Sequence, residues 1–267
     1  MTLVPRGNRD EESKLFRRLR HSVGRAVADF QLIAPGDRIA VALSGGKDSY
    51  LLFHLLESLR RRAPISYELV PVTVDPGFEG FRTDVIANHL EPHGYQLIVE
   101  RTDHVQLMAE KRRPGSSYCS ICARFKRGIL YTTSRRLGCN KLALGHHLDD
   151  FIETLLLNQF FVGSLKAMAP RMLADCGDIT VIRPLVYVEE REIVEEATAR
   201  RLPIVSCSCP AVDGIDLQRQ RMKRLLSSLE QEIPSIKRSL LHALANVHPR
   251  HLLDTSLQRR GEEEPLP

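Results

Sequence analysis

The stretch that decides the fold is Arg38-Ile-Ala-Val-Ala-Leu-Ser-Gly-Gly-Lys-Asp-Ser49, an apolar run that ends in a glycine-containing loop. Residues 38–43 predict a buried parallel strand, because strands covered on both faces are almost continuously apolar. The two glycines permit a turn whose backbone N–H groups point inward, and a helix predicted to begin near Ser49 adds its N-terminus. We therefore expect this loop to bind an anion such as phosphate.

Two common nucleotide-binding motifs are excluded here. A Walker-type P-loop ends in Gly-Lys-Ser/Thr, whereas Lys47 is followed by Asp48. The G-x-G-x-x-G spacing of dinucleotide folds is also absent. A plain strand-to-helix turn is the alternative, but the complete string between a predicted strand and a predicted helix favours a nucleotide loop.

The string Ser44–Ser49 resembles the SGGxDS signature of the PP-loop ATP pyrophosphatases. This resemblance implies that the chain binds ATP at the loop, cleaves it between the α- and β-phosphates and transfers AMP to a substrate oxygen. It also implies a role for each loop residue. Ser44, Gly45, Gly46 and Ser49 would contact phosphates, Lys47 would offset their charge, and Asp48 would help to hold Mg²⁺.

Strands and helices alternate along most of the chain, which predicts an α/β fold with a doubly wound parallel sheet. The predicted strands are 38–43, 68–74, 95–99, 141–144 and 180–182, and the predicted helices are 14–33, 49–60, 83–93, 119–137, 149–161 and 189–200. Residues 216–253 have a helical pattern, and no strand is predicted among them. We divide the chain into an N-terminal helical segment (1–34), an ATP-binding α/β domain (35–205), a helical C-terminal region (206–257) and a tail of disordered composition (258–267).

Composition excludes several classes of protein. With 267 residues, 43% hydrophobic and 27% charged, the chain is neither disordered nor fibrous. It has no apolar run long enough for a membrane helix and no apolar signal-peptide core, so we expect a cytoplasmic protein without a membrane partner. The net charge of +5 is a weak indication of a polyanionic partner. We expect four basic clusters to converge on an RNA-binding face. They are the basic residues of the N-terminal helix and the ranges Lys111–Arg113, Arg124–Arg127 and Arg219–Arg224.

Four of the six cysteines form close pairs. Cys119 and Cys122 have C-x-x-C spacing, and Cys207 and Cys209 are separated by one serine. Thiolates favour zinc or iron–sulfur clusters, so three sites are possible. In the first, all four cysteines bind a structural zinc. In the second, Cys119 and Cys122 form a redox dithiol. In the third, three cysteines bind a cubane cluster and leave one iron open. The single residues Cys139 and Cys176 are expected to be inert thiols.

The segment Gly145-His-His-Leu-Asp-Asp150 follows the fourth predicted strand, at the sheet edge where ligands bind in this architecture. Asp149 or Asp150 can simply cap the next helix. Beside an ATP loop, a carboxylate here is also suited to Mg²⁺ binding or proton transfer. A zinc site on the two histidines is rejected, because no third ligand has suitable local spacing.

These strings together resemble the tRNA 2-thiocytidine biosynthesis family over residues 15–257. The resemblance rests on Leu43–Tyr50, Cys119–Tyr131, Ala143–Asp150, Ile182–Leu185, Leu217–Gln220 and the HLLDTSL ending. It implies an ATP- and Mg²⁺-dependent, dimeric enzyme that thiolates C2 of a cytidine in the tRNA anticodon loop, with cytidine 32 as the expected target. It further implies a [4Fe-4S] cluster on three cysteines, whose open iron carries the sulfur, and a cysteine-desulfurase-type sulfur donor.

The resemblance also assigns residues. Cys119 and Cys122 are two cluster ligands, and Cys209, ahead of Cys207, is the third. Gly145 joins the nucleotide-binding residues, and Asp48 and Asp150 are the catalytic carboxylates. Two alternatives remain. One is a PP-loop uridine thiolase, although the chain lacks that group's cysteines at both ends. The other is a non-catalytic, zinc-stabilised RNA-binding protein.

Overall fold

The computed structural model of the protein describes residues 12–77, 80–102, 118–175, 177–205 and 217–255. The helices are α1 (Lys14–Asp29), α2 (Lys47–Arg60), α3 (Thr83–Leu90), α4 (Tyr118–Arg136), α5 (Leu148–Leu157), α6 (Glu190–Ala199), α7 (Leu217–Glu232) and α8 (Ile236–Ala243). The strands are β1 (Arg38–Ala42), β2 (Glu68–Asp75), β3 (Ile98–Arg101), β4 (Lys141–Ala143), β5 (Arg171–Leu173) and β6 (Thr180–Ile182). Short 3₁₀ turns span Glu91–His93 and Pro249–His251, and a π-helical turn, Asn158–Val162, extends α5.

The strands form one sheet in the order β3-β2-β1-β4-β6-β5. All neighbouring pairs are parallel except β5 and β6. From β1 the chain adds strands first on one side and then, beginning with β4, on the other. The order therefore reverses between β1 and β4, and the crevice at the carboxyl ends of these two strands is the usual ligand site of such sheets.

Helices cover both faces of the sheet, which confirms the predicted doubly wound fold. On one face the core consists of α1, α2, α3 and α6, with fully buried side chains that include Leu19, Phe53 and Ile193. On the other face Leu130 of α4 packs against Val72 and Leu142 of the sheet. Burial of this kind stabilises a fold by about 25 cal/mol per Å² of apolar surface.

The C-terminal helices pack against α5. Leu148, Ile152 and Leu156 present one side of that helix to Met222 and Leu226 of α7, and these five buried residues form a third apolar cluster. The described residues of 217–255 contain no strand, in agreement with the predicted helical region. The four-part division of the chain stays a prediction.

The structure corrects three details of the predicted fold. The sheet is not wholly parallel, because β5 pairs antiparallel with β6 at the sheet edge. Its three residues are all exposed, so it has no alternating or apolar pattern by which to predict it. The third strand is Ile98–Arg101 rather than 95–99, and α1 ends at Asp29 because Gln31 adopts a positive φ of 49°.

Several sequence predictions lie outside the described residues. These are Lys111–Arg113, Cys176, Cys207, Cys209 and the tail 258–267. For Cys119 and Cys122 the structure gives the helix but not the side chains. Within the described part of the chain, no helix combines the length and apolar character needed to cross a bilayer.

Candidate functional site

The glycine-containing loop and the histidine–aspartate segment meet at the crevice between β1 and β4. Residues 39–41 of β1 pair in parallel with residues 141–143 of β4, so the two strands end side by side. Ser44–Ser49 follows β1, and Gly145–Asp150 follows β4. The tertiary structure thus brings together two motifs that lie about 100 residues apart in the sequence.

The phosphate loop, residues 44–49, is held in shape by its own two serines. The Ser49 hydroxyl donates to the carbonyl oxygen of Gly46 at 2.8 Å and accepts from the backbone N–H of Ser44 at 3.2 Å. The Ser44 hydroxyl in turn accepts from the N–H of Gly46 at 3.3 Å. Gly45 has a φ of +79°, which L side chains rarely adopt. These contacts preform a tight turn immediately before α2.

The N-terminus of α2 is left open for a ligand. Gly46 is its N-cap residue and has no side chain with which to cap the helix. The first backbone N–H groups of a helix have no partners within the helix and carry its positive dipole end. The start of α2 therefore offers N–H donors to an anion, which is what a phosphate chain requires.

Lys47 lies beside this open helix end. Its Nζ atom is 3.2 Å from Oδ1 of Asp48 and 3.2 Å from Oε1 of Glu190. Burial would lower the pKa of Lys47, but the two carboxylates raise it above its ordinary value. The amine is therefore a permanent cation, although these two carboxylates bind it in this structure.

Gly145 allows the end of β4 to approach the start of α2. A Cβ atom at this position would lie 3.2 Å from the backbone carbon of Asp48 and 3.3 Å from the N atom of Ser49. Any larger residue would push the two segments apart. The structure thus gives Gly145 a packing role against the phosphate loop, beside the nucleotide-binding role predicted for it.

His147 links the two predicted catalytic carboxylates. This buried imidazole has its Nε2 atom 3.4 Å from Oδ2 of Asp150 and 3.9 Å from Oδ1 of Asp48. The Oδ1 atom of Asp48 is buried and has no hydrogen-bond partner, although Lys47 Nζ lies 3.2 Å away. A buried carboxylate oxygen with spare acceptor capacity fits a hard divalent cation.

Asp150 has the helix-capping role that was the alternative to a catalytic one. Its Oδ2 accepts the backbone N–H of His147 at 3.0 Å in a capping box, and its Oδ1 accepts from Arg219 of α7 at 3.1 Å. Asp149 accepts the N–H of Glu190 at 2.7 Å and pairs with Lys237 at 2.9 Å. Both aspartates therefore join α5 to neighbouring elements.

Glu190 connects the phosphate loop to the C-terminal helices. It lies 3.2 Å from Lys47 Nζ and 2.6 Å from Lys223 Nζ. Burial alone would raise the pKa of this carboxyl, but the hydrogen bond from Lys223 and the charge of Lys47 lower it to about 2. Glu190 thus carries a negative charge throughout the physiological range and balances both amines.

His146 is neutral and faces a group of arginines. Burial lowers its pKa to about 4; Asp150 partly opposes this effect, while Arg183 and Arg219 add to it. The Nε atom of Arg183 donates to His146 Nδ1 at 3.2 Å. Arg183 is itself buried, and Arg127 of α4 lies near enough to lower its pKa further.

The predicted basic clusters are divided by the structure. Arg219 and Lys223 pair with acidic side chains of α5 and α6, so they attach α7 to the sheet domain and are not simply a free basic surface. Arg124 and Arg127 are exposed on α4. The basic residues Arg18 and Arg25 of α1 line a separate cavity of about 1110 Å³, which none of residues 44–49 lines.

The backbone of α4 places the first cysteine pair on one helical turn. Cys119 and Cys122 lie three residues apart near the start of that helix, so they share a face. Two residues before Cys207, the N–H of Val205 donates to the carbonyl oxygen of Gly45 at 2.9 Å. Cys139 is buried in the core, and burial raises the pKa of its thiol. That placement agrees with the inert role predicted for it.

Three residues of this site were not singled out from the sequence. His147 lies within the GHHLDD string, but only the fold turns it toward Asp48. Arg183 lies within the string Ile182–Leu185, which carries no chemical signal of its own, and Glu190 belongs to no motif. The contact of Arg183 with His146 depends on the end of β6, and the contact of Glu190 with Lys47 depends on the packing of α6.

Comparison with known proteins gives consistent results. The PP-loop domain family matches residues 17–227. The tRNA-cytidine(32) 2-sulfurtransferase of Geobacter sulfurreducens is 68% identical over 244 residues, which are 91% of this chain and 95% of that protein. The protein of the same name from Pelobacter propionicus is 63% identical over 258 residues, which are 97% of this chain and 95% of that protein.

A solved structure shares the fold. The U34-tRNA thiolase NcsA from Methanococcus maripaludis, described with its [4Fe-4S] cluster, superposes with a TM-score of 0.69 at 22% identity, covering 94% of this chain and 80% of that one. At this level of identity the likeness concerns the arrangement of strands and helices alone.

Proposed function

The chain belongs to the PP-loop family and, within it, to the tRNA-cytidine(32) 2-sulfurtransferases, and we propose that it performs the reaction this name describes. The enzyme replaces the oxygen on C2 of cytidine 32, in the tRNA anticodon loop, by sulfur. It consumes ATP and forms AMP and diphosphate. The observation that carries this assignment is the 68% identity to the Geobacter sulfurreducens protein over 91% of the chain.

The reaction requires activation of the C2 oxygen, which is a poor leaving group. That oxygen attacks the α-phosphorus of ATP, the bond between the α- and β-phosphates breaks, and diphosphate leaves. Sulfur then attacks C2, the bond between C2 and oxygen breaks, and AMP departs with the oxygen. Negative charge on the phosphates must be balanced throughout, and preorganised N–H donors and cations perform this task.

The phosphate loop supplies those donors. Ser44, Gly45, Gly46 and Ser49 bind the phosphates, supported by the preformed turn and by the uncapped start of α2. Lys47 contributes its cationic amine, which has to turn from Glu190 toward the ligand. Gly145 keeps β4 close to this loop. The same N–H groups bind the diphosphate leaving group.

Asp48 and Asp150 are the proposed catalytic carboxylates. The buried Oδ1 of Asp48 without a hydrogen-bond partner supports a role as a Mg²⁺ ligand. His147 lies between the two carboxylates, within 3.9 Å of both, and orients them. Asp150 would act through its remaining acceptor capacity, since Arg219 and the N–H of His147 already hold it in place.

Cys119, Cys122 and Cys209 are the proposed ligands of a [4Fe-4S] cluster. Thiolates are the usual ligands of such clusters, and three of them would hold the cluster and leave one iron available for the sulfur. The hydrogen bond between Val205 and Gly45 supports proximity to the ATP site. Cys207 is the alternative third ligand.

The tRNA substrate is expected to contact the exposed basic side of α4. Arg124 and Arg127 are solvent-accessible there, and Arg127 acts electrostatically on Arg183 at the site. This arrangement supports binding of the phosphate backbone next to the reacting base, because phosphate contacts position a nucleic acid while base contacts select it.

We also propose a homodimer. Phe160, Phe161, Val162 and Leu165 are exposed after α5, and Met172 and Leu173 are exposed on the edge strand β5. Exposed apolar side chains, on an open sheet edge or close together at the end of a helix, usually mark a protein interface. A second copy of the chain would cover them, and Phe161→Asp would then give a monomer in light scattering.

The remaining parts of the proposal concern context. The sulfur reaches the enzyme from a cysteine-desulfurase-type donor, and the reaction occurs in the cytoplasm. The ATP-binding domain comprises residues 35–205, flanked by the helical segments 1–34 and 206–257. The packing of α7 against α5 supports a close association between that domain and the C-terminal region.

Nucleoside analysis of tRNA from cells lacking the gene tests the function. We expect 2-thiocytidine to disappear and 2-thiouridine to persist, and the wild-type gene to restore the missing nucleoside. Retention of 2-thiocytidine would contradict the proposal. Disappearance of 2-thiouridine instead would assign the chain to the uridine thiolases.

A further inference from the structure

Three histidines gather on the surface of the α/β domain, away from the phosphate loop. His54 lies in α2, His89 in α3 and His93 in the 3₁₀ turn that follows α3. One ring nitrogen from each lies within 4.8 Å of the other two. His54 and His89 are hydrogen-bonded through their Nε2 atoms, which lie 2.8 Å apart.

A divalent ion can replace this hydrogen bond, because the three ring nitrogens lie close enough to share one ion. Tetrahedral zinc with Zn–N bonds near 2.0–2.1 Å places its ligand nitrogens about 3.3 Å apart. His54 and His89 would separate by about half an ångström, and His93 would move inward. His93 lies in the 3₁₀ turn after α3 and is the most accessible of the three, whereas His54 and His89 are half-buried. Imidazole nitrogens are preferred ligands of zinc and its neighbouring divalent ions.

The neighbouring rings hold the first two ligands in place. Tyr50 packs edge-on against His89 with ring centroids 4.9 Å apart, and Phe53 packs edge-on against His54 at 5.7 Å. His54 and His93 also meet edge-on at 5.0 Å. Packing on both sides restricts the rotamers of these imidazoles, which lowers the entropic cost of binding an ion.

The site is distinct from the catalytic one. His54 is five residues after Ser49, the last residue of the phosphate loop, so it lies about 7.5 Å along α2 from that residue. Helix α3, which carries His89, nevertheless packs against the loop. If Gly45 had a Cβ atom, the side chain of Ile86 in α3 would lie 3.4 Å from it. An ion here would join α3 to α2 and fix the helix that packs against the loop.

We propose that His54, His89 and His93 bind a zinc-class divalent ion that joins α3 to α2. The fourth position, on the exposed side next to His93, is filled by water. Arg61 and Arg200 are the charged groups that act on His54. Their repulsion of a dication should make binding moderate, with dissociation constants closer to micromolar than to those of closed structural zinc sites.

The test uses the full-length chain purified with its cysteine site loaded, titrated with zinc chloride. We expect one additional zinc per chain and a higher melting temperature. His93→Gln should weaken binding at least about tenfold and abolish the thermal shift. This residue lies in a short turn that contains no buried residue, so the variant is expected to fold. His248→Gln, in an exposed histidine pair elsewhere on the chain, is the matched control and should bind zinc normally.

Zinc X-ray absorption provides an independent measurement. We expect the coordination shell of the zinc to contain nitrogen and oxygen scatterers in the wild type. The imidazole signature should be absent in His93→Gln. A shell dominated by sulfur would overturn the proposal, because zinc would then occupy the cysteines. Equal zinc affinity in wild type and His93→Gln would also overturn it.

Discussion

The backbone N–H of Val205 donates a hydrogen bond to the carbonyl oxygen of Gly45 at 2.9 Å, and the two residues are in close contact beyond that bond. A Cβ atom on Gly45 would lie only 2.8 Å from Cβ of Val205. The phosphate loop is therefore packed directly against the segment that leads to the second cysteine pair. This packing supports a common site for nucleotide and cysteines.

Gly45→Ala tests that packing. The substitution introduces both a strained φ of +79° and a clash with Val205, so we expect reduced stability and markedly weaker ATP binding. Gly36→Ala is the matched control, because Gly36 has a φ of +81° with open space around it. The control should cost about 1 kcal/mol of stability for the backbone strain alone and leave ATP affinity unchanged. Thermal unfolding measures the stability, and ATP titration measures the affinity. Equal effects of Gly45→Ala and Gly36→Ala on these two quantities would contradict the packing argument.

The cysteines test the proposed cluster. Ser substitution of Cys119, Cys122 or Cys209 should reduce thiolation at least about 100-fold and leave ATP binding largely intact, because each removes one ligand. The control is Cys139→Ser, a buried residue that should retain activity. The assay is thiolation after anaerobic reconstitution, with iron and sulfide counted.

Two outcomes of the cysteine experiment would change the assignment. Full activity with bound zinc and no iron would refute the cluster. If activity is retained in Cys209→Ser but abolished in Cys207→Ser, the third cluster ligand is Cys207 instead of Cys209.

The basic side of α4 should contribute to tRNA affinity through its charge. Arg124→Ala combined with Arg127→Ala should weaken binding and lower the slope of log affinity against log salt by about 0.7–0.9 for each phosphate that is no longer neutralised. Arg38→Ala is the control, since Arg38 lies at the opposite, amino end of β1 and pairs with Glu68. Filter binding between about 50 and about 300 mM salt measures the slopes. An unchanged slope in the double variant would place the RNA elsewhere.

The ion pairs of Glu190 should make stability depend on pH. Because its folded pKa of about 2 lies below the ordinary 4.5, the carboxylate contributes stability that is complete above pH 4.5. That contribution disappears as the pH falls toward 2, when the folded state also takes up the proton. Glu190→Gln should therefore lower the melting temperature most at neutral pH.

The measurement is thermal unfolding of wild type and Glu190→Gln at several pH values from neutral downward. The difference between the two melting temperatures should shrink as the pH falls below 4.5. Glu195→Gln, an exposed position on the same helix, should show little difference at any pH. A difference for Glu190→Gln that does not depend on pH would contradict the ion-pair argument.

Much of the fold followed from local patterns. The apolar run of β1 before a glycine-containing loop predicted a buried strand and a helix N-terminus, and the structure has β1 at Arg38–Ala42 and α2 at Lys47–Arg60. The edge strand β5 was missed, because its three exposed residues have no pattern and are a strand only through pairing with β6. The start of β3 was misplaced by three residues for a related reason, since pairing with β2 sets its register.

The sequence by itself determined which motifs the chain carries: the glycine-containing loop after β1, two close cysteine pairs and the aspartates after β4. Each motif is defined by residue types at short spacing, so it can be recognised from the sequence without knowledge of the fold. The tertiary structure alone decided which of these groups meet. His147 reaches Asp48, Glu190 reaches Lys47 and Val205 reaches Gly45 only because the strand order reverses between β1 and β4. Such pairs join residues far apart in the chain, and the burial of two apolar faces, rather than any local signal, fixes them.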